Sequence, residues 1–230
     1  MCHSETEGAL ILGYVTSGFA YHTLEDALRL LHDVGYRSAA ITLDRHHLDP
    51  FDDDCTARVR RIGKVLGELS MRCTIETGAR FLLDSTRKHH PTLMSASQED
   101  RERRVDFLRR AVDIACDLGA DSVSLWSGAS DDDAPDSVLL DRLRAGLAKV
   151  LDCAGRRNVR LSFEPEPDMF IERMHHFERL HETLGDPLFG LTLDIGHVHC
   201  LDDGDLNDHL ARWRDRLFNV HIEDMRRNRH

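Results

Sequence analysis

The stretch Leu191-Thr-Leu-Asp-Ile-Gly-His197 runs from a short apolar segment into a carboxylate and a histidine. Short apolar runs bounded by polar residues are typical of strands buried in a parallel sheet. On both sides of this stretch, similar runs alternate with longer segments of helical period, from Leu10 to His221. The alternation predicts successive strand–helix units and therefore an α/β protein with a parallel sheet.

Seven strands are expected from this pattern, over residues 10–15, 38–43, 72–76, 121–126, 159–164, 189–194 and 217–221. The helices between them have recognisable ends. Thr23 is a capping residue ahead of the first helix, and glycines follow the last turns of three helices: Gly35, Gly119 and Gly185.

Two architectures fit seven parallel strands, an open doubly wound sheet and a (β/α)8 TIM-type barrel. The segment Gly13-Tyr-Val-Thr-Ser-Gly18 after the first strand lacks the G-x-G-x-x-G spacing, and the sequence has no Walker A motif. The missing phosphate-binding loop favours the barrel. We expect a single domain over residues 1–230, because no repeat or low-complexity segment divides the chain.

The composition predicts a soluble globular protein, with 41% hydrophobic and 31% charged residues. The net charge of -11 makes nucleic acid an unfavourable partner. The apolar runs are shorter than the roughly 20 residues of a membrane span, and the first residues resemble no signal peptide, so a cytoplasmic location is expected. Six cysteines form no C-x-x-C pair and are expected to be buried thiols.

Metal-type ligands follow the last three predicted strands. In a parallel barrel the carboxyl ends of the strands converge on one mouth, which brings Glu164, Asp194 and His221 together. Two carboxylates in one desolvated site repel unless a cation separates them, and this donor set suits Mn²⁺, Co²⁺, Mg²⁺ or Zn²⁺. The alternative is that each residue is a helix-entry carboxylate or a surface charge in a loop.

Further polar and aromatic side chains follow the same strand ends. His197, three residues past Asp194, is a candidate substrate donor or acid or base, and Arg80 and Lys88 are candidate anion partners. Candidates for contact with a substrate are Glu76, Arg80, His46, Trp126 and Glu166.

Three motifs, LSFEPEP at 161–167, LTLDIGH at 191–197 and VHIED at 220–224, resemble those of the xylose isomerase-like TIM-barrel superfamily. That superfamily contains sugar and sugar-phosphate isomerases and epimerases and an apurinic endonuclease branch. The resemblance implies that Glu164, Asp194 and His221 are metal ligands, that Glu164 also acts in acid–base catalysis, and that His197 contacts substrate. It further implies an enediolate mechanism with a second carboxylate on an eighth strand.

Only nine residues follow His221, too few for an eighth strand with its glutamate and a closing helix. We therefore expect the barrel to lack both elements in this chain. Three explanations stay open: a fragment of a longer product, a barrel closed by a partner chain, or a degenerate member that binds without turnover. The unpaired edges of the first and last strands would then be open to pairing.

The resulting hypothesis is a metal-dependent isomerase or epimerase acting on a sugar, a sugar phosphate or a cyclic polyol. One alternative is metal-assisted hydrolysis as in the endonuclease branch, against which the acidic charge counts. Another is a non-catalytic barrel that binds a small molecule. A homo-oligomer is left open.

Overall fold

The computed structural model describes residues 10–225 and contains one seven-stranded, entirely parallel sheet. Each strand pairs with the next in the chain, and β1 and β7 line the same cavity, so the sheet curls into a barrel wall. The strands are β1 (Gly13–Val15), β2 (Ser38–Thr42), β3 (Arg72–Glu76), β4 (Val123–Leu125), β5 (Leu161–Phe163), β6 (Phe189–Asp194) and β7 (Leu217–His221).

Helices connect successive strands. They are α1 (Leu24–Val34), α2 (Cys55–Leu69), α3 (Gln98–Leu118), α4 (Asp136–Arg157), α5 (Met174–Leu184), α6 (Ile195–Leu201) and α7 (Leu206–Trp213), with a 3-10 turn at Thr16–Phe19. The predicted barrel architecture is confirmed, and β3, β6 and β7 have the predicted bounds.

The helix ends follow from local side-chain and backbone chemistry. Thr23 Oγ1 accepts a hydrogen bond from the Asp26 amide at the start of α1, and Ser97 Oγ accepts one from the Asp100 amide at the start of α3. At the other end of α1, Gly35 has φ 115°, where a side chain would be strained.

The apolar core lies between the sheet and the helices that cover its outer face. Phe163 at the end of β5 packs against Phe177 of α5 and Phe189 of β6, with ring centroids 6.1 and 5.7 Å apart. All three rings are fully buried. This packing fixes the end of β5, and with it the polar residue that follows.

The structure differs from the sequence prediction in two respects: four strands, β1, β2, β4 and β5, are shorter than predicted, and α6 is an additional helix. The first strand begins at Gly13 instead of residue 10, because its pairing with β2 starts at the Gly13–Ser38 register. Leu10 and Leu12 are 76% and 60% exposed. The second difference is α6, which begins directly after Asp194 where the sequence pattern indicated a loop.

Among residues 10–225, β1 pairs only with β2 and β7 only with β6. All three residues of β1 are exposed, and all five of β7 are half-buried. The barrel wall is therefore open between these two strands within the described part of the chain. No helix in that part is both long and apolar enough to cross a membrane.

Five of the six cysteines lie in the described residues and none of those five forms a disulfide; Cys2 lies outside them. Cys73 of β3 is 2% exposed, and burial, reinforced by the negative charge of Asp121, raises the pKa of its thiol to about 12.

We expect Cys73 to resist alkylation in the folded protein at pH 8, because its thiol stays protonated and inaccessible there. Peptide mapping after iodoacetamide treatment should find it unmodified in buffer and modified in denaturant. Rapid modification in buffer would contradict this packing.

Phe163→Ala should lower the free energy of unfolding by about 3–5 kcal/mol, since it leaves a cavity among aromatic rings. Val138→Ala, at a position 40% exposed in α4, should change it by no more than about 0.5 kcal/mol. Chemical denaturation measures both, and equal effects would contradict the assigned core.

Candidate metal centre

A cavity of about 850 Å³ occupies the barrel interior and its mouth at the carboxyl ends of the strands. Side chains alternate between the two faces of a strand, so every second residue of β2 faces the cavity: Ser38, Ala40 and Thr42. Eight of the nine site residues predicted from sequence line it. They are Glu76, Arg80, Trp126, Glu164, Glu166, Asp194, His197 and His221.

Three neighbouring strand ends bring the predicted ligand set together. Glu164 directly follows β5, Asp194 ends β6, and His221 ends β7 in register with Asp194. One ligand atom from each residue lies within 4.8 Å of the others. Glu164 and Asp194 are buried, at 7% and 3% exposure, so their charges are largely removed from water.

His221 bridges two of the carboxylates at this mouth. Its Nδ1 lies 3.0 Å from Glu164 Oε1, and its Nε2 lies 3.2 Å from Glu76 Oε1. Burial acts to lower the pKa of this imidazole, but the charges and hydrogen bonds of Glu164 and Glu76 outweigh it and raise the pKa well above its usual value. A positive charge between the carboxylates is therefore favoured.

The two carboxylate oxygens of Asp194 have different surroundings. Its Oδ1 accepts a hydrogen bond of 3.0 Å from the His197 amide and caps α6. Its Oδ2 is buried and has no hydrogen-bond partner among the described residues. Buried carboxylate oxygens are normally satisfied, and a divalent cation between two carboxylates and an imidazole would satisfy this one. The residues present fit such an ion.

His197 lies on the first turn of α6 and faces the same mouth. Its Nδ1 is 3.1 Å from the carbonyl oxygen of Pro165, which can only accept, so Nδ1 carries a proton. Its Nε2 lies 3.4 Å from Glu223 Oε1. Asp194, His197 and Glu223 form a second group whose ligand atoms lie within 4.8 Å of one another. Glu223 was not predicted as a site residue.

Glu166 follows Pro165 after the chain has left β5, and its amide donates to the Ile171 carbonyl over 3.2 Å. Burial raises the pKa of its carboxyl to about 8, with further raising contributions from the charges of Glu164, Glu223 and Asp194. The cavity therefore holds a concentration of acidic groups that repel one another.

His46 is the one predicted substrate-contact residue that does not line the cavity. It lies in the turn after β2, where its amide donates to Asp44 Oδ1 over 2.9 Å. Asp44 thereby fixes this turn outside the cavity wall. The predicted role of His46 has no contact in the cavity to support it.

Arg104 of α3 lies beside the cavity wall and was not identified from the sequence. It is 1% exposed, its Nη2 donates to the Thr77 carbonyl over 2.8 Å, and its guanidinium lies 5.0 Å from the Trp126 ring centroid. The sequence does contain an indication of it: Arg104 lies four residues before Leu108 and seven before Ala111, and this helical spacing places an arginine on the apolar face of α3.

A comparison with protein families agrees with the barrel fold. The profile of the family described as xylose isomerase-like TIM barrel matches residues 16–230. The chain belongs to this family. A comparison with curated proteins found no match.

Solved structures with the same fold include 3-keto-D-glucoside 4-epimerase YcjR from E. coli, at 13% identity and TM-score 0.77 over 94% of this chain and 80% of that chain. A structure of L-ribulose 3-epimerase matches at 21% identity and TM-score 0.77, over 94% and 70% of the two chains. IolI protein with a bound zinc atom matches at 14% identity and TM-score 0.70, over 94% and 73%.

We expect Asp194→Asn to lower the bound divalent metal well below one equivalent per chain, because the amide removes the negative charge while it can still cap α6. Asp141→Asn, whose side chain is 78% exposed on α4, should leave the metal content unchanged. Elemental analysis after dialysis against Mn²⁺ measures both variants. Stoichiometric metal in Asp194→Asn would contradict the assigned ligand set.

Proposed function

We propose that this protein is a metal-dependent isomerase or epimerase acting on a sugar, a sugar phosphate or a cyclic polyol. The observation that carries the proposal is the convergence of Glu164, Asp194 and His221 within 4.8 Å at the mouth of a polar cavity. Two fold neighbours support it, since one is a 3-keto-D-glucoside 4-epimerase and the other is an L-ribulose 3-epimerase.

Glu164, Asp194 and His221 would hold the ion. When bound, a divalent ion polarises the carbonyl of a ketose and stabilises the negative charge that develops when the neighbouring carbon loses its proton. The donor set suits Mn²⁺, Co²⁺, Mg²⁺ and Zn²⁺.

Proton transfer is assigned to the carboxylates of the chain. Glu164 faces the cavity and is held by His221, so it is placed to accept the proton from the carbon next to the carbonyl. A proton delivered from solvent to the opposite face of that carbon gives the epimer, and Glu164 then releases its own proton to solvent, so that no proton is gained or lost over the cycle. His197 and Glu166 line the same cavity and are placed to hydrogen-bond substrate hydroxyls.

Metal-assisted hydrolysis is a second candidate, favoured by the group Asp194, His197 and Glu223 next to the first. Two overlapping sets of ligands would suit a multi-metal centre, and one fold neighbour is titled AP endonuclease, family 2. The net charge of -11 opposes binding of a nucleic acid backbone. More than one metal per chain, with cleavage of an abasic DNA duplex, would favour this candidate.

The epimerase proposal predicts that the Mn²⁺- or Co²⁺-loaded protein incorporates solvent deuterium into a ketose or inosose at the carbon whose configuration changes. Glu164→Gln should reduce that rate at least about 100-fold, because the amide cannot accept the proton. Nuclear magnetic resonance in D2O measures the exchange for a panel of ketoses and inososes.

Glu182→Gln, at an exposed position of α5, is the matched control and should exchange at the parental rate. Metal content is measured on the same samples, so that loss of the ion is separated from loss of the base. Stoichiometric metal without product or exchange across the panel would count against an epimerase.

A further inference from the structure

A group of cationic side chains lies at one side of the cavity, beyond the end of β3. Arg80 and Lys88 line the cavity together with His89, and Arg104 lies buried behind them under Trp126. We name Arg80, Lys88 and Arg104 the cationic cluster. It contrasts with the acidic groups at the ends of β5 and β6, which line the same cavity.

None of these three cations forms an ion pair with a carboxylate of residues 10–225. Their neighbour Arg87, in contrast, pairs with Asp84, with Nε 2.8 Å from Oδ2. In a protein with 41 acidic and 30 basic residues, three unpaired cations next to one cavity are an unusual concentration of positive charge. Their charge is available to a ligand.

Arg104 shows that this charge is built into the fold. Its side chain is fully buried, its only hydrogen bond goes to the Thr77 carbonyl, and its Nη1 has no partner among the described residues. Burial without a counter-charge lowers the pKa of its guanidinium to about 9. Buried charges are normally paired, so a fixed cation beside a cavity favours an anion in that cavity.

His89 connects the cluster to the cavity wall. It takes φ 69°, an uncommon backbone conformation for a residue other than glycine, and its Nδ1 lies 2.6 Å from the Gly78 carbonyl oxygen. Nδ1 therefore donates to that carbonyl. The ring packs edge-on against Trp126, with centroids 5.3 Å apart. These contacts fix the loop that presents Lys88.

The cationic cluster adjoins the acidic groups, because Arg80 and Lys88 line the same cavity as Glu164 and Asp194. The cavity thus has two oppositely charged ends. A neutral sugar would leave the cationic end without a counter-charge. Without the cationic cluster, an anionic sugar would be repelled by the carboxylates of Glu164 and Asp194.

From this charge arrangement we infer that the cationic cluster is a subsite for an anionic group, a phosphate ester or a carboxylate, on the polyhydroxy substrate. Arg80 and Lys88 contact the anionic oxygens, and buried Arg104 adds a fixed positive potential. The sugar part of this inference rests on the proposed function. The anion site itself is independent of it.

Calorimetric titration of the full chain with inorganic phosphate tests the anion site directly. The double variant Arg80→Ala/Lys88→Ala should bind phosphate at least about tenfold more weakly than the parent, because both contacting charges are gone. Both side chains are exposed, so the variant should fold, which circular dichroism checks. Protein dialysed against EDTA is used in parallel, so that phosphate bound to a metal is not counted.

The matched control is Arg60→Ala/Lys64→Ala, which removes two exposed charges from α2 and leaves the cavity unchanged. It should bind phosphate as the parent does. Equal phosphate affinity of the Arg80→Ala/Lys88→Ala variant and this control would overturn the inference, as would absence of phosphate binding to the parent.

Titrations with D-fructose 6-phosphate, D-fructose and D-glucuronate distinguish the two sources of the anion. Preference for the phosphate ester or for the carboxylate over neutral D-fructose, lost in the Arg80→Ala/Lys88→Ala variant, supports the subsite and identifies its ligand. Equal binding of all three compounds would overturn it.

Phosphate binding that persists in Asp194→Asn, without epimerase activity in the parent, would retain the anion site and reject the proposed function. Epimerisation of neutral sugars without phosphate binding would retain the proposed function and reject the anion site.

Discussion

The contact between His221 and the carboxylates of Glu164 and Glu76 is the interaction on which the rest of the cavity depends. Acidic groups on separate strands end at one mouth, and their repulsion would open the barrel there if no positive charge stood between them. In this structure the His221 imidazole lies between them, with contacts of 3.0 and 3.2 Å, and the two carboxylates raise its pKa and so favour its charged form. A cation bound between these carboxylates would relieve the same repulsion that opposes folding. Cation binding and the stability of the fold are therefore linked.

The same electrostatic principle organises the whole cavity. Acidic groups gather at the ends of β5 and β6, and cationic groups without carboxylate partners in residues 10–225 gather beyond β3. The buried charges of Glu164, Asp194 and Arg104 are each unfavourable alone, since burial removes the solvent that would screen them. Together they suit the ligand proposed above, a polyol that carries a negative charge at one end. Shape alone would not define it, because a cavity of about 850 Å³ admits many small molecules.

Much of this arrangement was predictable from sequence, because strand ends in a parallel barrel converge regardless of helix detail. The apolar runs predicted β3, β6 and β7 to the residue, and the polar groups at the ends of β5, β6 and β7 indicated the candidate ligand set. The seven residues of α6 were missed because a helix of only about two turns, with Gly196 in it, is too short for an apolar period to be recognised. Arg104 was missed because only the folded protein shows what covers it. His46 was expected at the cavity, but Asp44 holds its turn elsewhere.

The divided role of Asp194 couples the mouth of the barrel to the backbone behind it. One oxygen caps α6, and the other is buried without a hydrogen-bond partner among residues 10–225. A ligand that draws on the second oxygen also fixes the orientation of the first, so the order of residues 195–201 follows occupancy. Hydrogen exchange of the amide protons of α6 is therefore expected to be slower when a ligand occupies the mouth.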